Sequence, residues 1–388
     1  MLVAFVTIFP LIFSHFALPI LALNDTTKTW TFNTANAGNY TYDNTLITVD
    51  DTGGRPVTNV NKITNPSFSS DNSGWSTTAV VPAGWVETPG NSTYSTTNFL
   101  VMKYEAKCAS TSDLTTGLVS PDTGYNTYAN NTTPCIAANN RQVVTVVSGY
   151  PIANISQTDS ITYCANVSIN GSAVHLITNN EWMTIARNAE AQATNWTEGS
   201  VGSGYLFAGH NDNAPAKARP ASTTDTGNYR CAYTDTAGTS ENPSSCPTNT
   251  ANNTSGTAGN QVRVLTLSNG SPLWDIAGNV WEWTNDTIQG KDQPTGSSPG
   301  FNWREFTALT TYGTLNYDKV RPLASGYDAT YGVGRIYSDG TGSNTTSYGF
   351  LRGGTWDNAS YAGAFTLYLA YTPGNSNLYI GSAAPVIP

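Results

Sequence analysis

The sequence predicts an α+β fold with two helices, short strands and long loops. Only two segments, 156–167 and 178–193, combine helical periodicity with a capping signature at the start. Elsewhere, short runs alternate apolar and polar residues between clusters of Gly, Pro, Asn and Ser, which is typical of strands and turns. At 388 residues the chain has room for two or three domains and an ample core.

The composition excludes some partners and favours others. Charged residues make up 11% of the chain, against about 25% in a typical soluble protein. The net charge of −9 and the 17 Lys and Arg residues argue against nucleic acid, because a phosphate-binding surface needs clustered basic side chains. The acidity instead favours a divalent cation.

The first 23 residues are nearly continuous apolar sequence. They fit an export signal that is removed near Asn24, although no Lys or Arg opens the segment as a signal peptide would require. They also fit a retained helix in a membrane or in the core of a filament, because about 20 apolar residues span a bilayer. Both alternatives remain open at this stage.

Three regions follow the apolar leader. Residues 24–60 contain three short alternating runs rich in Thr, Tyr, Trp and Ile, which predict a small β-rich N-terminal arm. Residues 61–90, with Asn-Pro, Gly-Trp and Pro-Gly turns, are expected to form a linker. Residues 91–388 are expected to form the main domain, with a first buried strand at 99–106 and an aromatic, loop-rich insertion at 287–347.

The two predicted helices begin with capping residues. Ser156 is followed by Asp159, and Thr178 by Glu181 in a Thr-x-x-Glu box. One face of the second helix carries an apolar stripe that should pack in the core, formed by Trp182, Ile185, Ala186 and Ala189. We therefore interpret Glu181 as a cap residue, without a catalytic role.

Five cysteines that lack any Cys-x-x-Cys pair indicate an exported protein. Cys231 and Cys246 flank a polar loop and are predicted to form a disulfide. Cys108 and Cys135 bracket a second loop and are paired next, which leaves Cys164 over. Asn-x-Ser/Thr sequons recur and would allow glycosylation in a suitable source, for example at Asn91, Asn130, Asn154, Asn166, Asn195, Asn253 and Asn344.

The densest combination of aromatic, glycine and carboxylate residues is LWDIAGNVWEWT at 273–284. Gly278 and Asn279 tolerate the left-handed backbone of a tight turn. Asp275 and Glu282 place carboxylates on either side, and calcium takes such oxygens together with backbone carbonyls. The chemistry alone allows a calcium-binding turn. It equally allows a buried strand, turn and strand whose acids are solvated.

The same segment resembles the signature of the formylglycine-generating enzyme (sulfatase-modifying factor) family. Two further segments, HLITNNEW at 175–182 and FLRGGTW at 350–356, resemble other family motifs and follow in the family's order. The resemblance implies a C-type-lectin-like fold over roughly 80–381. It also implies a calcium site whose ligands would be Asp275, Gly278, Val280 and Glu282.

The C-terminal segment 352–381 predicts a strand with two unlike faces. Phe365, Leu367 and Leu369 alternate with more polar neighbours, so the odd-numbered residues should face the core. Thr366, Tyr368 and Ala370 should face outward. The many Tyr, Ser and Asn residues around this strand are those that binding loops favour, although composition alone allows a merely polar surface.

This segment also resembles the variable region of proteins diversified by diversity-generating retroelements, which vary residues within a fixed lectin-like frame. The resemblance implies a ligand-binding face, called here the variable face, made of Asp357, Asn358, Ser360, Tyr361, Tyr368, Ala370, Tyr371, Asn375, Asn377, Leu378 and Tyr379. The chain departs from the pattern at its end. Gly381 is followed by SAAPVIP, where the family commonly closes with Gly-Phe-Arg, and this leaves the last strand in doubt.

Catalysis of the family's type is not expected. The formylglycine-generating reaction needs two C-terminal cysteines that bind copper, and no cysteine follows Cys246. Iron-dependent relatives need clustered histidines, and His15, His175 and His210 are scattered. The sequence therefore predicts a non-enzymatic, extracellular or cell-surface ligand-binding protein with structural calcium. Its partner would be a protein or glycan on another cell or virus, and membrane contact would be confined to 1–23.

The alternative is a structural subunit of a cell-surface filament, a homo-polymer assembled through the N-terminal helix or the β-rich arm. An oxidase of the formylglycine-generating type is a third and weaker hypothesis. The fate of residues 1–23 separates the first two. Removal of the leader favours a soluble binder, and its retention favours an anchor or a filament core.

Overall fold

The computed structural model describes residues 81–118, 134–169, 172–213, 216–221, 225, 262–382 and 385–387, together with the strand backbones at 29–30, 47–48 and 128–129. The chain divides into two compact units, Met1–Val80 and Val81–Pro388. In the first unit, β1 (Thr29–Trp30) pairs antiparallel with β2 (Ile47–Thr48). The apolar leader and the Cys231–Cys246 pair lie outside the described residues.

An eight-stranded mixed sheet forms the centre of the second unit. Its strands, in spatial order, are β17 (Phe301–Arg304), β19 (Ile336–Asp339), β21 (Leu367–Tyr368), β20 (Ser347–Arg352), β15 (Trp281–Gln289), β22 (Ile380–Ser382), β9 (Ile152–Ala153) and β7 (Tyr128–Ala129). β15 is the longest strand. It pairs antiparallel with β20 and parallel with β22, so the signature segment lies in the middle of the sheet.

A second sheet has four strands, in the order β12 (His175–Leu176), β23 (Pro385–Ile387), β4 (Phe99–Met102) and β3 (Trp85–Thr88). β23 lies between its two neighbours and pairs antiparallel with both. The segment SAAPVIP therefore contributes to β22 and forms β23, which answers the doubt about the last strand. Residues 85–88, inside the expected linker, form the edge strand β3.

The remaining described strands form small antiparallel sheets. One has three strands, in the order β6 (Asp113–Gly117), β5 (Lys107–Ser110) and β8 (Arg141–Val144). Three two-stranded sheets are β10 (Ser168–Ile169) with β11 (Ser172–Ala173), β13 (Val264–Thr266) with β14 (Pro272–Trp274), and β16 (Thr295–Gly296) with β18 (Leu309–Thr311). Short 3-10 turns occur at Ser92–Tyr94, Ala137–Asn139, Ala193–Asn195, Gly290–Asp292, Phe306–Ala308, Ala329–Tyr331 and Ala359–Tyr361.

Both predicted helices are confirmed. α1 (Gln157–Ala165) begins after Ser156, whose side chain accepts a hydrogen bond from the Asp159 amide. α2 (Asn179–Glu190) begins with a complete capping box between Thr178 and Glu181. The apolar stripe of α2 is fully buried. None of the helices in the described ranges is long and apolar enough to cross a membrane.

Two details of the second unit differ from the sequence reading. Residues 287–347 do not merely cover the domain, because they supply β17 and β19 at one end of the main sheet. Phe365, Leu367 and Leu369 are buried as predicted, but Thr366 is buried too. The regular strand is only β21, and the Thr366 hydroxyl turns inward to donate to the Tyr361 carbonyl.

The disulfide between Cys108 and Cys135 is confirmed, with 5.8 Å between the Cα atoms. It links β5 to the segment that leads into β8. β5 and β8 are paired strands of the three-stranded sheet. The third described cysteine, Cys164, is fully buried in α1 with a free thiol. Burial raises the pKa of this thiol to about 12, so it stays protonated and unreactive.

Candidate functional site

The three sequence motifs meet at the signature turn. Gly278 and Asn279 adopt left-handed backbone conformations, with φ of 76° and 63°. The Gly278 amide donates to the Gly353 carbonyl at 3.1 Å, and the Asn279 carbonyl accepts from the Trp356 amide at 3.1 Å. Gly278 and Gly353 therefore fix the turn against the RGGTW segment.

Arg352 completes the junction from inside the protein. It is fully buried at the end of β20, and its guanidinium donates to the Asn179 side chain and to the Phe365 carbonyl. Asn179 is the first residue of α2. The Arg352 side chain thus joins the FLRGGTW segment to the start of α2. This contact explains why an arginine stands in an otherwise apolar segment. Burial lowers its pKa to about 9.

Asp275, the first predicted calcium ligand, is engaged in a buried ion pair. Its two carboxylate oxygens accept from Nε and Nη2 of Arg263, at 2.7 and 2.6 Å. Both side chains are almost fully buried. Arg263 also donates to the carbonyls of Arg219 and Pro220, so the guanidinium is held on several sides.

Glu282, the fourth predicted ligand, lies on β15 and has a different environment. Its carboxyl is buried, and Oε2 has no hydrogen-bond partner. Burial raises the pKa of Glu282 well above its usual range, and the Glu105 and Asp275 carboxylates add to the effect. Glu105 is buried as well, beside the Asn279 side chain and the Val280 amide. The three carboxyl groups of Asp275, Glu105 and Glu282 therefore affect one another, while Arg263 and Lys107 partly offset their charge at Glu105.

The four predicted ligands fit calcium unequally. Glu282 offers a buried oxygen with nothing bound to it, which is what a hard cation would use. Both carboxylate oxygens of Asp275 already accept hydrogen bonds from Arg263. Gly278 and Val280 bracket the Asn279 turn and could contribute only backbone carbonyls. Across the described part of the chain, no three His, Cys, Asp or Glu side chains form a metal-binding group.

The signature strand connects this turn to the variable face through Trp281. Trp281 is buried, and its ring is 5.5 Å from the Tyr368 ring and 6.3 Å from the Trp303 ring. Trp303 and Tyr368 are only partly covered. The same strand that carries Glu282 therefore supports aromatic residues at the surface.

Those aromatic residues form a continuous stack across three strands. Trp303 on β17 is paired with Tyr337 on β19, and Tyr337 with Tyr368 on β21. The Tyr337 and Tyr368 rings are parallel, with centroids 4.6 Å apart and an interplanar angle of 7°. Tyr361 and Tyr371 contact Trp303 and Tyr368 at 4.8 and 5.2 Å. Mutual stacking restricts these rings and stabilises one arrangement.

All eleven predicted residues of the variable face are accessible to solvent. Asp357 and Asn375 are exposed, and nine are partly exposed, namely Asn358, Ser360, Tyr361, Tyr368, Ala370, Tyr371, Asn377, Leu378 and Tyr379. Residues 351–356, 362–367 and 369 are buried and are called here the frame, and the accessible residues between and after them are called the openings. All eleven residues therefore lie among the openings.

The structure brings part of this set together. Tyr361, Tyr368 and Tyr371 join the aromatic stack, and Tyr379 packs edge-on against Trp356 at 6.5 Å. The amides have local roles. Asn358 and Asn375 accept hydrogen bonds from the backbone at Thr355 and Thr372 and so shape their own turns. Asn377 likewise accepts from the next amide, at Leu378.

Sequence reasoning missed three residues of the surface: Phe301, Trp303 and Tyr337. Phe301 stacks on Tyr337 at 5.9 Å and extends the aromatic row. The signal was the alternation in FNWR, where Phe301 and Trp303 lie on one side of a strand and Arg304 is buried on the other. Reading 287–347 as an insertion hid that pattern.

The motifs and their junction agree with a comparison against family models. The sulfatase-modifying factor enzyme 1-like domain matches residues 65–381. The chain belongs to this family. The match begins before β3 and ends within β22, so the sulfatase-modifying factor enzyme 1-like domain contains the signature turn, both helices and the variable face.

Solved structures give more distant similarities. One is a Major Tropism Determinant I1 variant, at 15% identity and a TM-score of 0.30, over 80% of this chain and 54% of that one. Another is Treponema denticola variable protein 1, at 12% identity and a TM-score of 0.29, over 78% of this chain and 99% of that one. The chain thus spans about half the length of the first. No curated protein sequence matches it.

Proposed function

We propose that the chain is a non-enzymatic ligand-binding protein that presents the variable face on a C-type-lectin-like scaffold. The observation that carries the proposal is the division of 351–381 into a buried frame and accessible openings, with all eleven predicted residues among the openings. A surface that varies without disturbing its frame needs this separation, because buried substitutions disrupt packing.

The aromatic stack supports a binding role. Tyrosine and tryptophan cover a large contact area at little entropy cost, and their mutual packing holds them in place before a ligand arrives. Trp303 and Tyr337 enlarge the face beyond the eleven residues, since both contact Tyr368. Few charges interrupt this surface. Arg335 stacks on Tyr361 at 4.4 Å and is paired with Glu305.

The proposal includes the expectation that the chain has no formylglycine-generating activity. Enzymes that resemble this chain need two cysteines near the C-terminus, and no cysteine follows Cys246. Cys164 is buried with a raised thiol pKa, so it is a poor nucleophile. We therefore expect the purified chain to show no formylglycine-generating activity on a cysteine-containing sulfatase peptide supplied with copper and oxygen.

We also propose that calcium stiffens the scaffold at the signature turn. Support comes from the unpartnered buried oxygen of Glu282 and from the Glu105 and Asp275 carboxylates that raise its pKa further. Bound calcium would raise the melting temperature, since a ligand of the native state stabilises it by mass action. Calcium should raise the melting temperature relative to EGTA, and Glu282→Gln should remove the increase.

Glu87→Gln is the matched control, because Glu87 is an exposed carboxylate on β3. It should keep the response to calcium. If the unmodified chain melts at the same temperature in calcium and in EGTA, the calcium proposal fails. The proposed binding face is unaffected by that outcome.

An extracellular or cell-surface location completes the proposal. The Cys108–Cys135 disulfide supports it, because such bonds persist in oxidising compartments. The partner would be a protein or glycan on another cell or virus. The filament alternative depends on residues 1–23 and on the β-rich arm, and no observation within the described residues favours it.

The binding face is tested with a matched pair of leucines. Leu378 belongs to the variable face and Leu114 lies on β6 outside it, and both are accessible. The full chain is screened against arrayed extracellular proteins and glycans, and each hit is measured again with both variants. Leu378→Asp should weaken binding about tenfold or more, a loss of at least ~1.4 kcal/mol, whereas Leu114→Asp should leave it unchanged.

Equal effects of the two leucine variants would overturn the proposed face. A second measurement does not depend on knowing the ligand. The eleven positions are randomised together and the library is selected against an arbitrary protein. Folded binders should emerge, whereas a library that randomises the buried frame 362–367 should lose folding.

A further inference from the structure

A second concave site lies outside the variable face. A cavity of about 340 Å³, partly open to solvent, is lined by the last turn of α2, the 3-10 turn at Ser92–Tyr94 and the loop 317–327. None of the eleven variable positions lines it. The volume is at the lower end of the range for small-molecule sites, roughly 300–1,000 Å³.

The floor of this cavity holds a guanidinium with unused donors. Arg187 on α2 is 8% exposed, and its Nε and Nη1 have no hydrogen-bond acceptor. Nη2 reaches Asp318 at 3.4 Å, and the Glu190 carboxylate lies 3.7 Å from Nη1, beyond hydrogen-bond reach. Buried donors without acceptors are costly, so an oxygen atom that reaches this guanidinium from the cavity would be stabilised.

The mouth and one wall are apolar. Leu323 is 70% exposed and Val201 is 50% exposed, and both line the cavity. Tyr327 forms an aromatic wall. Its ring is stacked on Tyr331 at 4.7 Å and packed edge-on against Trp196 at 5.4 Å, which fixes its orientation.

The charged groups around Arg187 determine whether a charged or a neutral ligand can bind in the cavity. A carboxylate directed at Arg187 would approach Glu190 and Asp318, and an amine directed at those acids would approach Arg187. Both charged ligands are therefore disfavoured. A hydroxyl group both donates and accepts hydrogen bonds, so neighbouring hydroxyls can satisfy Arg187 and Asp318 together.

We propose that this cavity binds one neutral sugar ring, with its hydroxyls on Arg187 and Asp318 and its apolar side against Tyr327. The volume has room for a single ring and a short substituent. The ring can come from a free sugar or from the end of a glycan, since both present the same hydroxyls. This site is separate from the variable face and does not depend on the function proposed for that face.

The test is saturation-transfer NMR on the full chain. The probes are the methyl glycosides of glucose, galactose, mannose and N-acetylglucosamine, with benzoate and benzylamine as charged probes of similar size. At least one glycoside should receive saturation, and the charged probes should not. Leu323→Trp fills the mouth and should weaken glycoside binding about tenfold or more, whereas Leu114→Trp, an equally drastic change on β6, should not.

Asp318→Asn keeps the shape of the floor but removes a charge, and it should weaken the glycoside signal and admit benzoate. The proposal is overturned if no glycoside binds at millimolar concentration, if binding survives Leu323→Trp, or if a charged probe binds the unmodified chain better. Tyr371→Ala alters the variable face alone and should leave the glycoside signal intact. A disaccharide that extends the best glycoside separates the two sources, since only a glycan end needs an open exit for its second ring.

Discussion

The signature turn and the variable face differ in which residue types are buried and which are accessible. Around the turn, polar and charged groups such as Asp275, Asn279 and Arg352 are buried and held by specific hydrogen bonds. On the face, aromatic rings and small polar groups are accessible and held by stacking or by their own turns. Trp281 contacts the face from within the signature strand. The contrast indicates that residues of the variable face can change without loss of the fold, because buried groups around the signature turn hold the fold through specific hydrogen bonds.

The largest effect should come from removing the buried Arg263 guanidinium, which pairs with Asp275. Arg263→Met leaves Asp275 buried without its partner, near Glu105 and Glu282, and should lower the free energy of unfolding by ~3–5 kcal/mol. Urea unfolding in EGTA measures it. The double variant Arg263→Met/Asp275→Leu should recover much of the loss, because no unpaired charge then remains.

Lys103→Met provides the comparison for that ion pair. Lys103 is 2.6 Å from Asp225, but both side chains are partly exposed. Its loss should cost less than ~1 kcal/mol. If the two ion pairs cost the same, the interior is not as specific as the contrast between turn and face requires.

The second prediction concerns pH and Glu190. Burial raises the pKa of Glu190 from 4.5 to about 7, against the opposing effect of Arg187. Asp318, Tyr94 and Tyr327 are the other titratable groups that face it. A raised pKa means that the folded chain binds the proton more tightly, so the contribution of Glu190 to stability is greatest at low pH and is lost as pH rises from about 4.5 to 7. The loss amounts to ~3 kcal/mol.

Unfolding free energies measured across that pH window test it. Glu190→Gln should flatten the slope, while Glu87→Gln, an exposed carboxylate, should leave the slope unchanged. An unchanged slope in Glu190→Gln would contradict the prediction.

The third prediction compares two glycines within the C-terminal segment. Gly354 has φ of 90°, and a Cβ there would lie 2.7 Å from the Ala362 Cβ, so Gly354→Ala should cost about 2 kcal/mol. Gly374 lies among the openings with free space around it. Gly374→Ala should change stability by less than ~0.5 kcal/mol. Equal costs would show that frame and openings do not differ.

The smallest effect is expected on the face itself. The triple variant Asp357→Asn/Asn375→Asp/Leu378→Ser changes three accessible residues whose framing neighbours stay intact. Each change should shift the free energy of unfolding by less than ~0.5 kcal/mol, and distant sites should add. Thermal unfolding of the triple variant checks the sum. A cooperative loss of several kcal/mol would break the contrast between turn and face.

Sequence reasoning succeeded where a residue type has one local explanation. The Thr178 and Ser156 caps and the Cys108–Cys135 pair follow from short patterns. It failed where distant segments decide. Nothing in the local pattern indicates that Arg263 occupies both oxygens of Asp275, or that Trp303 pairs across strands with Tyr337. Thr366 is buried because the regular strand begins only at Leu367 and the Thr366 hydroxyl donates to the Tyr361 carbonyl, which alternation alone does not reveal.

The position of β23 sets an order on folding. Residues 385–387 lie between β12 and β4, so Leu100 near the start of the domain pairs with Ile387 near the end of the sequence. A chain emerging from the ribosome leaves the edges of β12 and β4 open until residues 385–387 appear. Such distant pairing slows folding, and open edges recruit other strands. Chains that stop before residue 385 should therefore aggregate, because the edges of β12 and β4 stay unpaired.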